Sequence, residues 1–143
     1  MCDSMIREIT KEDLDDNYFE ILTQLSGEAK PYNVYNMWEA YLDGSSKTFV
    51  YTRGRVMGTA SIFIESKFLH CGSKVGHIED VVVDKNCRTR GVGKSLIMEC
   101  LDYAKEQQCY KVILDCSLTN VPFYVKCGFM PDGYCMRNNL YRG

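Results

Sequence analysis

An α+β (mixed α/β) domain built around a long central sheet is predicted by three features of the chain. Apolar residues recur at helical spacing before residue 43 and again after residue 91, while strand-like apolar runs fill much of residues 48–83. A glycine-containing basic turn then joins the last of those runs directly to a long amphipathic helix. With 143 residues and no repeat, low-complexity tract or linker, the expectation is one domain over 1–143.

The elements follow in order. Met5 to Ile9 suits a first short strand. From Lys11 to Gln24, Leu14, Tyr18, Ile21, Leu22 and Leu25 keep helical spacing, and Val34, Met37, Trp38, Tyr41 and Leu42 mark one face of a second helix. Asp43-Gly44-Ser45-Ser46 is a turn, and strands Thr48–Thr52 and Arg55–Glu65 are joined at Arg53-Gly54, where glycine permits positive φ. Val75–Val83 ends in a continuous apolar run, as a buried central strand does. After the turn Arg88-Thr89-Arg90-Gly91-Val92-Gly93-Lys94, a helix is expected to bury Val92, Leu96, Ile97, Cys100, Leu101 and Ala104. Tyr110–Asp115 is a further buried strand, Thr119–Lys126 a short helix and Gly133–Leu140 a final strand. The expected order is β-α-α-β-β-β-α-β-α-β.

Composition narrows the function classes. A net charge of −2, with 45% hydrophobic and 25% charged residues, gives no bulk attraction to nucleic acid or an anionic membrane. No apolar run approaches the ~20 residues of a membrane span, and the first residues lack a signal-peptide pattern. The eight cysteines show no C-x-x-C spacing and the two histidines cannot complete a standard zinc pattern. Reduced thiols in a cytoplasmic, metal-free protein are therefore expected.

The strand–turn–helix from Val81 to Leu101 is the most informative segment. Gly91 and Gly93 let the backbone turn tightly and approach a ligand. The first N–H groups of the following helix point outward at the positive end of its dipole, where phosphate binds. Arg88, Arg90 and Lys94 add positive charge. A Walker loop needs four residues between its glycines, and only one separates these. A dinucleotide fingerprint needs a third glycine, which is missing. Taken alone, the turn fits equally well a helix cap with solvated basic residues.

Two motifs in order change that balance. Arg88-x-x-Gly91-x-Gly93, entered from Val81-Val82-Val83, resembles the coenzyme A pyrophosphate loop of the GCN5-related N-acetyltransferase (GNAT) superfamily. Asn120-Val121-Pro122-Phe123-Tyr124-Val125-Lys126-Cys127-Gly128-Phe129 resembles that superfamily's Asn-x-x-x-(Phe)Tyr-x-x-x-Gly-Phe segment. Within it, Gly76–Val83, Cys109–Cys116 and Phe123–Phe129 look like the eukaryotic glucosamine 6-phosphate N-acetyltransferases, and Lys67-Phe68-Leu69-His70 resembles their sugar-contacting segment. The likeness runs from about Ile6 to Leu140 and is densest between Gly76 and Phe129.

This resemblance implies a GNAT fold and direct transfer of acetyl from acetyl-CoA to the amine of glucosamine 6-phosphate. It implies no acyl-enzyme and no metal, and a place in UDP-N-acetylglucosamine biosynthesis. It assigns the pyrophosphate loop to Arg88, Thr89, Arg90, Gly91, Val92, Gly93 and Lys94, with Val81, Val83, Asn120, Phe123, Tyr124 and Lys126 as further coenzyme contacts. Sugar contacts are implied at Ser26, Lys67, Phe68, Leu69, His70, Glu79, Asp80, Val81, Tyr110, Lys111, Asp115 and Arg137. Asn139 stands where relatives carry an arginine, three residues after Met136. A homodimer is also implied, with Tyr110 and Lys111 serving either their own or the neighbouring site.

Bland readings stand beside several roles. Tyr124 is the candidate general acid toward the leaving thiolate, since phenol and thiol ionise within a unit or two of each other; its alternative is a packing tyrosine. Asn120 is a coenzyme contact or a helix cap. Strand alternation lets only one of Glu79 and Asp80 face a given cleft, and Glu79 is the candidate proton acceptor. Asp115, expected at the end of an apolar strand, needs a partner or a ligand. The rival functions are acetylation of another small or protein amine, and a non-catalytic acetyl-CoA-binding module.

Overall fold

A computed structural model describes residues 4–27, 29, 33–87 and 91–141. Five strands form one sheet in the order β1 (Ser4–Glu8), β2 (Ser46–Arg53), β3 (Arg55–Ser66), β4 (Lys74–Val83) and β5 (Cys109–Ile113). The first three pairings are antiparallel and β4–β5 is parallel. A parallel pair needs a crossover, which is helix α4 (Val92–Glu106). The β2–β3 connection is the expected hairpin, with Gly54 at φ 76°.

Two apolar layers clasp the sheet. Phe49, Ala60, Ile62 and Ile78 pack on one face with Leu96, Ile97, Cys100 and Ala104 of α4. Val50, Val56 and Val82 pack on the other with Ile9 and with Tyr18, Phe19 and Ile21 of α1 (Asp16–Thr23). Phe49 and Val50 go to opposite faces, as neighbours on a strand must. Ile78 and Val82 are four apart yet also face opposite layers. The cause is a bulge: Ser61 pairs with Glu79 and Thr59 with Val82, so Asp80 and Val81 together face Ala60. One extra residue reverses the facing of everything after it. Gly58 permits the close approach of β3 to α4, since a Cβ there would lie 3.1 Å from Leu96 Cδ1.

The helices start where their caps are. The first helix begins at Asp16 rather than near Lys11, because the Asp15 side chain accepts the N–H of Tyr18 at 2.9 Å. The preceding Lys11–Asp13 forms a single 3-10 turn, with Asp13 held by Arg7 through two bonds of 2.7 and 2.8 Å. Helix α2 (Val34–Asp43) is capped by Asn33, whose Oδ1 accepts from the Asn36 N–H at 3.1 Å. Val34, Trp38 and Tyr41 pack on the second core, whereas Met37 and Leu42 of the predicted apolar face are exposed. Leu69–Gly72, labelled α3, is a connector turn with His70, Cys71 and Gly72 at φ 51°, 59° and 80°.

Two expectations are corrected. The predicted final strand, Gly133–Leu140, is not a strand, and every residue from 131 to 141 is exposed. The order therefore ends on α5 (Val121–Lys126), preceded by a 3-10 turn at Leu118–Asn120. A strand needs a neighbour for its backbone groups, and among the described residues the segment pairs with no strand. Strand β5 also stops at Ile113, so Asp115 lies beyond it and is exposed rather than buried.

Candidate active site

The site originates in a parting of strands. The β4–β5 ladder runs from Lys74↔Cys109 to His77↔Ile113 and stops, while β4 continues along β3 to Val83. From Glu79 onward β4 and the chain after β5 diverge, leaving a wedge between them. The bulge lies at the opening of this wedge. Asp80 sits there at φ 54°, a left-handed conformation that Asp tolerates better than most residues.

The bulge brings two carboxylates to one place, contrary to strict alternation. Glu79 and Asp80 are both exposed, and Glu79 feels the charges of Asp80 and of Asp115 across the wedge. Partial burial, reinforced by those two carboxylates, raises the Glu79 pKa above the usual glutamate value. Cys135, from the segment after α5, is hydrogen-bonded to Asp115, whose negative charge raises the thiol pKa. Among the described residues none of Glu79, Asp80 and Asp115 makes an ion pair.

The far wall is α5. Its Pro122 sits in the first turn, where the missing N–H costs nothing, and Gly128 at φ 96° follows the helix end. Tyr124 is half-buried, with edge contacts to Phe123 at 4.9 Å and Phe129 at 6.0 Å between ring centroids. Burial raises its pKa, helped by proximity to Cys116 and Cys127. Its hydroxyl therefore keeps its proton through neutral pH. The Asn120 side chain makes no cap bond to α5, which leaves its amide to the wedge or to solvent.

The remaining wall is the start of α4. Gly91 has φ 67° and open space where a Cβ would project, so the backbone there is approachable. The N-cap Gly91 has no side chain to cap the first N–H groups of this 15-residue helix, and Lys94 is exposed in its first turn. Uncapped donors, the dipole's positive end and a lysine suit a pyrophosphate. Gly93 serves packing instead, since a Cβ there would lie 3.2 Å from Phe123 Cζ and 3.7 Å from Val83 Cγ2. Its lack of a side chain lets α5 close against α4. Val92 is buried in the core. Arg88, Thr89 and Arg90 lie outside the described residues.

The predicted acceptor residues divide into two groups. Glu79, Asp80, Val81 and Asp115 line the wedge. His70, Tyr110 and Lys111 cluster near the start of β5, with the His70 and Tyr110 rings 4.4 Å apart and the Lys111 ammonium 5.6 Å from the Tyr110 ring centre. Lys67 lies beside Glu65 at 3.7 Å, and Glu65 also binds His77 at 2.8 Å. Phe68 and Leu69 project into solvent, Phe68 fully so. Lys111 is in register with Val75, four residues before Glu79, roughly 13 Å at ~3.3 Å per residue. This second group therefore sits further along the sheet than the carboxylates of the wedge. Ser26 is exposed just beyond α1, and Arg137 donates to Asn139 at 2.8 Å in the extended carboxyl-terminal segment. A polar cavity of about 360 Å³, bordered by Glu8, Tyr41, Lys47 and Tyr103, holds none of these residues.

Sequence reasoning missed a buried acid beside the wedge. Asp84, the residue after β4, is 5% exposed and meets Arg55 at 2.8 Å. An aspartate ending an apolar run just before a glycine turn was the available signal. The seven described cysteines are free thiols, and among the described residues no cluster has the makings of a metal site. No described helix is long and apolar enough to cross a membrane.

Comparison with known proteins agrees with this geometry. Residues 7–129 match the acetyltransferase (GNAT) family model. The glucosamine 6-phosphate N-acetyltransferase of Candida albicans is 39% identical over 134 residues, 89% of each chain. That of Trypanosoma brucei brucei is 49% identical over 87 residues, 61% of this chain and 59% of the relative. The chain spans only about half the length of the rice and Arabidopsis relatives that it matches, 49% and 52%. The crystal structure of the Arabidopsis thaliana enzyme superposes with a TM-score of 0.88 at 34% identity, covering 97% of this chain and 99% of that one. A family match over most of the chain, a parted β4–β5 pair, a strand bulge and an uncapped glycine-led helix all meet here, and the chain belongs to the GNAT acetyltransferase family.

Proposed function

We propose that this chain, acting as a single acetyltransferase domain over 1–143, transfers the acetyl group of acetyl-CoA to the amine of glucosamine 6-phosphate. The observation that carries the reading is the parting of β4 from β5 after His77, with Glu79 and Asp80 exposed at the bulge where it opens and Asp115 near Glu79; Tyr124 is half-buried on α5. Relatives named for this reaction support the substrate. The N-terminal turn of α4, from Gly91 to Lys94, would hold the coenzyme pyrophosphate with Arg88, Thr89 and Arg90. Asn120, Phe123 and Lys126 would flank the rest of it. When bound, the coenzyme supplies an activated acyl group on sulfur.

The chain's own residues manage protons and position. Glu79, its pKa raised, takes the proton that the sugar ammonium must lose, directly or through water. The freed amine attacks the thioester carbonyl carbon, forming the C–N bond. Backbone N–H groups at the bulge, near Val81, stabilise the oxyanion. The C–S bond breaks, its electron pair stays on sulfur, and Tyr124 gives that sulfur a proton. Asp115 and Asp80 fix the sugar through its hydroxyls. The reaction uses no metal and serves amino-sugar metabolism leading to UDP-N-acetylglucosamine; the free thiols support a cytoplasmic setting.

A homodimer completes the site in this reading. Phe68, Leu118, Met130, Tyr134, Met136 and Leu140 are each at least 81% exposed, an apolar surface that a second copy would cover. The exposed segment 133–141 would pair with that copy, and His70, Tyr110, Lys111 and Arg137 would bring positive charge to the neighbour's 6-phosphate.

One observation favours a second reading. Three unpaired carboxylates in the wedge suit a cationic acceptor such as a polyamine. Thiol release from acetyl-CoA, measured with glucosamine 6-phosphate, glucosamine and spermidine, separates the two. Turnover that requires the 6-phosphate supports the sugar-phosphate reading. Preference for spermidine replaces it, and coenzyme binding without turnover on any amine returns the chain to a binding module.

A further inference from the structure

We infer that Asp84 is a positioning residue for the coenzyme side of the site, through the turn Asp84–Cys87 by which the chain leaves β4, and that Gln24 ties this turn to the end of α1. The inference rests on the acetyltransferase reading above.

Asp84 is the one charged residue among the described residues that is fully buried. Its N–H donates to the Met57 carbonyl at 2.7 Å, and its own carbonyl accepts from the Cys87 N–H at 2.8 Å, closing a turn. One carboxylate oxygen accepts from the Asn86 N–H at 3.1 Å and the other from Arg55 at 2.8 Å. Arg55 in turn donates to Asn17 of α1 at 3.0 Å and to the Val56 carbonyl at 3.2 Å. Gln24, at the end of α1, closes the bracket. Its side-chain oxygen accepts from the Lys85 N–H at 3.1 Å, and its amide is hydrogen-bonded to the Asp84 carboxylate.

A buried carboxylate is costly unless fully partnered, and a hydrophobic residue could fill the same space at less cost. What the acid adds is direction. Through Asn86 and Cys87 it sets the course of the chain as it leaves β4, seven residues before the Gly91 that opens α4. A misplacement of about 1 Å in such a segment can lower rate by ~100-fold. Gln24 lies two residues before Ser26, the acceptor-side candidate. A shift at the end of α1 therefore reaches the turn after β4 through one side chain.

Gln24 provides a sensitive test because it is exposed, and truncating it should barely alter folding. Loss of hydrogen bonds of ordinary strength corresponds to roughly 5-fold in affinity. Calorimetric titration of Gln24→Ala with coenzyme A should thus show about 5-fold weaker binding, with the KM for the acceptor raised similarly, kcat within about 2-fold and Tm nearly unchanged. Asp84→Asn should weaken coenzyme A further, and Arg55→Lys, which retains the charge, should fall between wild type and Arg55→Met. Unchanged coenzyme affinity and acceptor KM in Gln24→Ala overturn the inference, as does a series in which only Tm moves. Coenzyme titration does not depend on the sugar. If wild-type protein binds coenzyme A but ignores glucosamine 6-phosphate, the substrate reading fails while the titration still decides whether Asp84 and Gln24 position the turn.

Discussion

Replacing Gly93 by valine should damage the enzyme through α5 and not by blocking the coenzyme. The Cβ of any residue at 93 would stand 3.2 Å from Phe123 Cζ and 3.6 Å from Cε1, tighter than relaxed packing allows. Valine adds two methyls beyond that atom in a space bounded on another side by Val83. Overpacking of this kind costs about 2–3 kcal/mol. For a chain of 143 residues, at about 4 °C per kcal/mol, Tm should fall by roughly 8–12 °C. The ring that must move is next to Tyr124, so kcat should fall along with coenzyme affinity. Thermal unfolding of Gly93→Val, Phe123→Ala and the double variant forms a cycle. If the ring contact is the cause, removing the ring recovers at least about 1 kcal/mol beyond additivity. Additive losses, or a Gly93→Val protein that unfolds normally but cannot bind coenzyme A, would refute this reasoning and restore Gly93 to a purely ligand-facing role.

Other consequences are testable with purified protein. Tyr124→Phe should lower kcat by ~100-fold or more with a smaller change in the KM for acetyl-CoA, as loss of a general acid does; unchanged kcat removes Tyr124 from that role. Because the Tyr124 pKa is raised and the protonated form acts, any loss of rate from its ionisation belongs above the ordinary phenol value, and Tyr124→Phe should abolish that limb. Asp115 helps hold the Glu79 pKa up, so Asp115→Asn should move the acid limb of kcat/KM to lower pH; a limb that stays put dissociates the two carboxylates. The Asp13 pKa is lowered by hydrogen bonds from Arg7, so its stabilising contribution is complete above the unfolded-state value and fades as pH falls through the lowered one. Urea unfolding of Arg7→Met should therefore show a deficit at pH 7 that shrinks toward pH 2, and a constant deficit would argue against the pair. Truncation after Asp132 should yield a monomer that binds coenzyme A but uses glucosamine 6-phosphate poorly, checked by sedimentation and thiol release.

Much of the fold was legible because it depends on local pattern. The crossover from β4 through α4 to β5 announced itself in Val81-Val82-Val83, the glycine turn and the spacing of Val92, Leu96, Ile97, Cys100, Leu101 and Ala104, all buried except Leu101, which is partly so. The hairpin at Gly54 was likewise visible from one dipeptide. Only the resemblance to the family implied the bulge at Asp80, which leaves no spacing within β4 to read because its cause lies in the pairing of Ser61 and Thr59 on another strand. That is why alternation wrongly separated Glu79 from Asp80. The end of β5 was misjudged for a similar reason: Leu114 continues the apolar run up to Asp115, but the pairing with β4 ends at His77. The Asp84 bracket draws on residues 17, 24, 55 and 84, and such distant partners leave no spacing to read.

The carboxyl-terminal segment shows where a pattern can be right about chemistry and wrong about one chain. Tyr134, Met136, Leu140 and Tyr141 carry the apolar weight of a strand, yet all are at least 81% exposed. A lone chain has nothing to satisfy that weight, because β5 is short and its neighbouring segment 114–120 bends into α5. Burial of even half of four such side chains, at about 25 cal/mol per Å² and roughly 150–250 Å² for each aromatic, is worth several kcal/mol. That gain is realised only against another surface, and the surface must also place cations near a wedge that holds three acids. The group formed by His70, Tyr110 and Lys111 clusters at the start of β5, with Lys111 in register with Val75, four residues before Glu79. A second copy that covers the segment and delivers this group answers both demands with one contact, which is why dimer formation and use of the 6-phosphate should be lost together.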